Sequence, residues 1–195
     1  MGADHIVGST GIAERIGSVA FHRLLNRFCY DVSDAIVDAK GEIYKYVGDE
    51  IIVTWVMASG VQDARCVRCY FASLDAIARV RLDYEREFGV VPSFRAGLHA
   101  GPVVAGELGD IKQEISFLGD TVNTTARIKD MCRETNRPVL LSGALLAKLR
   151  LPDGIEPETL GPVRLRGREQ LIDLFGPAVS AAEGDRCLRV TRFPA

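Results

Sequence analysis

Residues 42–56 read EIYKYVGDEIIVTWV. Two runs rich in Ile, Val, Tyr and Trp flank Gly48-Asp49, which is the pattern of two strands closed by a tight turn. The spacing predicts a hairpin with strands over 42–47 and 50–56. An acid beside a glycine is ordinary turn chemistry. Here, however, the flanks are built for burial, and a carboxylate taken out of water is costly unless something compensates its charge. Asp49 is therefore the first residue that needs a reason.

Working outward, Ile12, Ile16, Ala20, Phe21, Leu24, Leu25 and Phe28 repeat with helical spacing. They predict one helix over about 10–39, with Ser9 or Thr10 as its cap. A second long helix is expected over about 61–88. Further strands follow at 93–101 (SFRAGLHAG), 102–109 (PVVAGELG) and 113–119 (QEISFLG). A helix is then expected over 120–135, a strand over 137–142, a short helix over 143–150, and a closing hairpin at 161–167 and 169–176. Long helices alternating with hairpins imply an α+β fold, with helices packed on a mixed, mainly antiparallel sheet. Residues 176–195 carry small residues without clear periodicity and read as a C-terminal tail, in which CLRV offers one short strand.

Bulk properties exclude several classes. With 195 residues, 47% hydrophobic and 26% charged, the chain suits one domain. A net charge of −2 gives no general surface for nucleic acid or anionic membrane. No apolar run approaches the roughly 20 residues needed to span a bilayer. The N-terminus has no secretory pattern, and Ile6 stands where a myristoylation signal has Ser or Thr. Five cysteines, an odd number, fit reduced thiols and a cytoplasmic chain. Cys66 and Cys69 form a lone CxxC inside a helical pattern, where packing explains the spacing better than metal or redox chemistry.

Four stretches carry chemistry. Gly8-Ser9-Thr10 opens a helix, where free backbone amides attract phosphate. Lys45 stands four before Asp49. Residues 97–109 (GLHAGPVVAGELG) place four glycines in strands, which calls for close backbone approach; His99 within them reads as a satisfied interior residue. In 117–127 (FLGDTVNTTAR), Asn123 and Arg127 lie four apart on one helix face.

In order and spacing, GST at a helix start, K-x-x-G-D, G-x-H-x-G-x-V-x-A-G and G-D-x-V-N-x-x-x-R resemble the catalytic domain of class III nucleotidyl cyclases, bacterial adenylate cyclases in particular, over about residues 5–175. The resemblance implies a ferredoxin-like core acting as a homodimer, with each site shared between two copies. It implies conversion of ATP to 3′,5′-cyclic AMP and pyrophosphate, with two divalent ions per site, Mg2+ or Mn2+. Asp49 matches a metal-binding Asp, which would explain an acid at a hairpin built for burial. Lys45 matches the purine-reading Lys that favours ATP, and Ser116 the second purine reader. Asn123 matches the ribose-orienting Asn, and Arg127 the Arg that stabilises the pentavalent phosphorus. Gly8, Ser9 and Thr10 would meet the phosphates. Arg166, with Arg168 next, matches a terminal-phosphate clamp. The N-terminal wording is similar to membrane-attached members, whose preceding hydrophobic portion would be absent here.

The family's other metal Asp belongs three residues before Gly8, where this chain has His5. Three explanations stand side by side: the chain begins late in a longer protein; Asp4 supplies the ligand one position off; or the domain is a catalytically impaired nucleotide-binding or dimerisation module. His5 is a poor ligand for Mg2+ and a better one for Mn2+ or Zn2+. A one-residue offset in a strand also turns a side chain to the opposite face.

Overall fold

The hairpin forms where the sequence predicts it. Strand β2 (Glu42–Val47) turns through Gly48, whose φ of 61° favours glycine, into β3 (Glu50–Thr54). A computed structural model describes residues 1–167 and 170–179 of the chain. Before the hairpin come β1 (Gly2–Ile6), α1 (Ser9–Ile16) and α2 (Ser18–Asp38). After it come α3 (Met57–Val61), α4 (Arg65–Arg79), α5 (Arg81–Phe88) and β4 (Phe94–Leu98). The chain continues through β5 (Val104–Leu108), β6 (Glu114–Leu118), α6 (Asp120–Glu134), β7 (Val139–Ser142), α7 (Gly143–Leu146), β8 (Ile155–Arg164) and β9 (Leu171–Val179).

Seven strands form one sheet in the order β2-β3-β1-β4-β7-β9-β8, while β5 and β6 form a separate two-stranded ribbon. Among the described residues only β4 and β7 pair in parallel; the other pairings of the sheet are antiparallel. The expected α+β architecture is the one observed, with helices on both sheet faces. On one face, Phe94 of β4 meets Phe28 of α2 and Tyr70 of α4 edge-on, each at 5.4 Å between ring centroids. Ile6, Ile51, Val53, Leu98, Val139 and Leu141 join that core. On the other face, Leu140 and Leu174 pack with Ile128 and Cys132 of α6.

Several expectations are corrected. The helix foreseen over 10–39 breaks at Gly17, whose φ of 84° and ψ of 154° belong to a region that essentially glycine alone occupies. The apolar period continues through the break, so it was invisible to periodicity. The helix foreseen over 61–88 becomes α4 and α5, preceded by a 3-10 turn at Gln62–Ala64 in which Asp63 and Ala64 have positive φ. The segment beginning at 176 is not all tail: β9 continues to Val179 and pairs residues 176–179 with 155–158 of β8. CLRV, Cys187 and Arg168 lie outside the described residues.

Helix α6 is seated by one glycine. A Cβ at Gly97 would land on the backbone of Lys129 and Thr125, so the helix lies against bare strand. Backbone cannot swing aside as a side chain can. Gly97→Ala is expected to lower stability by about 1–3 kcal/mol in urea unfolding, whereas Ala at Gly106, where a Cβ meets nothing, leaves it within about 0.5 kcal/mol.

Candidate functional site

Strand β1 lies between β3 and β4, with His5 opposite Glu50 on one side and Arg95 on the other. His5 and the β2–β3 turn thereby meet: His5 Nδ1 stands 3.1 Å from Asp49 Oδ2. That oxygen is closed off from solvent and, among the described residues, has no hydrogen-bond partner. The His5 contact is therefore one of proximity, without an aligned donor. A buried carboxylate oxygen left without a donor is unusual, and it is the feature a bound cation satisfies. The neighbouring Glu50 is engaged elsewhere, by Lys129 of α6 at 3.2 Å. Among the described residues no group of three or more His, Cys, Asp or Glu could hold a metal. Asp49 and His5 form a pair of donors, and the remaining ligands of a cation there would come from phosphate and water.

Asp4 does not join this pair. Cross-strand neighbours share a face, and Asp4 is paired with Ile51 and Ala96, both in the core beneath α2 and α4. His5 and Asp4 point to opposite sides of the sheet, so Asp4 as a metal ligand is corrected by strand alternation. Asp4 keeps partial solvent access, yet its carboxyl is pushed up to about 7, by burial first and by Glu50 second. An acid whose folded pKa exceeds its unfolded value costs stability as pH rises from about 4 to 7, and the loss persists above that window. Asp4→Asn removes the loss. In urea unfolding at pH 8 it is expected to be more stable than the parent by on the order of 2 kcal/mol, the two curves converging near pH 4.

The start of α1 lies beside His5. Gly8 occupies the N-cap position with φ 70°, and no side chain caps the helix; the expected Ser9 or Thr10 cap is corrected, because the cap position itself falls on Gly8. Gly8, Ser9 and Thr10 form one wall of an open cleft of about 830 Å3 that His5, Arg127 and Arg166 also line. Arg127 reaches the turn at Arg166–Gly167, where a Cβ on Gly167 would meet its guanidinium at 3.6 Å. Arg95, Arg133 and Arg164 line the cleft as well and were not singled out from the sequence. Only register reveals Arg95, as the cross-strand partner of His5.

Lys45 and Ser116 lie outside that cleft's lining and near each other. Lys45 Nζ pairs with Glu114 Oε1 at 3.0 Å, and Glu114 shares its face of β6 with Ser116, two residues on. Glu114 is the first cause holding the Lys45 ammonium above its usual range. The ribbon is locked to β2 by the Tyr44 ring stacked on Phe117 at 4.3 Å and by Phe117 N–H donating to the Tyr44 hydroxyl. Glu114 carried no signal in the sequence, because the contact spans 69 positions. Asn123 is exposed on the early part of α6, four residues before Arg127. His99 Nδ1 lies 2.8 Å from Ser142 Oγ, the hydroxyl that caps α7, in keeping with an interior role. Cys66 and Cys69 are buried in α4, and burial pushes the Cys69 thiol up to about 12.

Residues 3–175 match the family model described as "Adenylate and Guanylate cyclase catalytic domain". The chain is 38% identical over 180 residues to "Adenylate cyclase 2" of Rhizobium meliloti (strain 1021), covering 92% of this chain and 50% of that protein. It is 31% identical over 166 residues to "Retinal guanylyl cyclase 2" of Homo sapiens, covering 84% of this chain and 15% of that protein. The chain thus spans half or less of these relatives' length. The crystal structure of the adenylyl cyclase CyaB from P. aeruginosa superposes with a TM-score of 0.77 at 20% identity, covering 96% of this chain and 94% of that one, a likeness of fold.

Proposed function

The chain belongs to the adenylate and guanylate cyclase catalytic-domain family, and from that membership we propose that it converts ATP to 3′,5′-cyclic AMP and pyrophosphate at sites shared between two copies. The observation that carries this reading is the cleft, where the uncapped amides of α1 face Arg127 and Arg166 beside the Asp49–His5 pair. Amides and guanidinium groups converging on one space suit a triphosphate.

In this reading the ribose 3′-oxygen forms a bond to the α-phosphorus, the bond from that phosphorus to the bridging oxygen breaks, and pyrophosphate departs. The hydroxyl proton passes to solvent. Arg127 donates to the phosphoryl oxygens as charge develops on them. Asn123, one turn earlier on the same helix face, orients the ribose. Gly8–Thr10 amides and Arg166 hold the terminal phosphates. Lys45 donates to a purine ring nitrogen, and the Ser116 hydroxyl accepts from the adenine amino group. Guanine's N1 and N2 donors find no acceptor in an ammonium, so Lys45 selects ATP over GTP. A divalent cation held by Asp49, Mg2+ or Mn2+, with two per site as in the family, would acidify the 3′-hydroxyl and offset phosphate charge.

In this reading each site is shared between two copies, the metal-holding Asp49 of one facing Lys45, Asn123 and Arg127 of the other, as the family resemblance implies. The ribbon is a ready contact surface: Val104, Leu108, Ile111, Ile115 and Leu118 are exposed apolar side chains on or at its tip. Among the described residues no helix is long and apolar enough to cross a membrane, and we assign the domain to the cytoplasm, where ATP is at hand. A second reading, a nucleotide-binding or dimerisation module without turnover, draws on His5 standing where a carboxylate is expected.

The test is incubation with ATP and Mn2+, followed by chromatography for cyclic AMP. Product is expected from the parent, with a loss of at least about 100-fold in Arg127→Ala and Asp49→Asn, and with GTP turned over far less. Nucleotide binding without product in the parent would favour the second reading. Equal rates with ATP and GTP would remove Lys45 and Ser116 from purine selection.

A further inference from the structure

Among the described residues three carboxylates lie near the β1–β3 junction, and Asp49 alone is neither on the core face of the sheet nor held by a lysine. Asp4 is on the opposite face of the sheet, under α2 and α4. Glu50 is held by Lys129 at 3.2 Å, both side chains being largely buried. Asp49 remains, its Oδ2 enclosed and without a hydrogen-bond donor, with the His5 imidazole beside it. We propose that Asp49 and His5 form a mixed carboxylate–imidazole site that takes a borderline transition ion of the Mn2+ or Zn2+ class in preference to Mg2+. The proposal deepens the cyclase reading by naming the metal class of its site.

The geometry favours shared coordination over an internal hydrogen bond. The two facing atoms are 3.1 Å apart, without the alignment a hydrogen bond needs. Metal–ligand bonds of about 2.1–2.2 Å set neighbouring ligands of an octahedral ion about 3.0–3.1 Å apart, which is the spacing present. The charge balance points to the same class of ion. Mg2+ holds its ligands mainly by charge, prefers oxygen and parts with water reluctantly. Here the pair itself offers one carboxylate and a neutral nitrogen, with Arg95 across the strand from His5; of the carboxylates lining the cleft, Asp130 is paired with Lys129 at 3.3 Å and Glu134 lies on α6. Imidazole bonds well to softer divalent ions through its lone pair, which compensates for the missing second negative charge.

The test uses the whole chain with MnCl2 alone, followed by pulsed electron paramagnetic resonance for nitrogen coupling to the bound ion. Nitrogen coupling is expected in the parent. It should be lost in His5→Asp and retained in His22→Gln, since His22 lies on α2, outside the cleft lining. In Mg2+ competition against bound Mn2+, the preference for Mn2+ should fall at least tenfold in His5→Asp, because a second carboxylate restores an oxygen site. Absence of nitrogen coupling in the parent overturns the proposal without recourse to any variant. So does an unchanged Mn2+-to-Mg2+ preference in His5→Asp. Nitrogen-coupled Mn2+ without cyclic AMP would uphold the metal assignment and sink the cyclase reading; cyclic AMP without nitrogen coupling would do the reverse.

Discussion

Helix α6 rests directly on strand β4 because Gly97 has no side chain to hold it off. That contact sets the distance between the two backbones, and with it the height at which Arg127 stands above the sheet. The same helix carries Asn123 and Arg127 one turn apart, and Lys129 two residues further on. Lys129 reaches Glu50 at the start of β3 and so ties the helix to the hairpin that presents Asp49. One backbone-to-backbone approach thereby fixes the cationic wall of the cleft relative to its acid.

Strand β1 makes the second constraint. It pairs with β3 on one side and β4 on the other, so its alternation decides which of its residues enter the cleft and which enter the core. Ala3 and His5 face α6, while Asp4 and Ile6 face α2 and α4. The arrangement sets a half-buried acid among apolar neighbours, at a cost in stability near neutral pH, and leaves an imidazole beside Asp49. Charge in the cleft is consequently weighted towards cations, with five guanidinium groups and Lys129 against the carboxylates of Asp130 and Glu134, while Asp49 stands beside His5 at its edge. Such a balance suits anionic phosphates and makes the nature of any cation depend on His5.

Much of this was legible from local pattern. The hairpin at 42–54, the ribbon strands, α6 and the closing pair β8–β9 follow from period and turn chemistry. The chemistry-bearing residues were legible too, because Lys45, Asp49, Asn123 and Arg127 sit in motifs whose internal spacing is short. The helix breaks at Gly17 and at Asp63-Ala64 were not, since an apolar period survives a change of direction. Glu114 as the partner of Lys45, and Arg95, Arg133 and Arg164 as cleft residues, were also missed. Each depends on which strand or helix becomes a neighbour across many positions, and no local window carries that information.

By itself the sequence determined that an α+β domain of this family would form, that Asp49 would stand at a hairpin turn, and that His5 would replace an acid. Those properties reside in residue types and short spacings. Only the tertiary structure decided that Asp4 faces away, that Glu50 is taken by Lys129, and that Asp49 Oδ2 is left enclosed beside His5. Each of those outcomes depends on the register of β1 between two strands and on the seating of a helix against bare backbone, and both are set by packing among segments far apart in the chain.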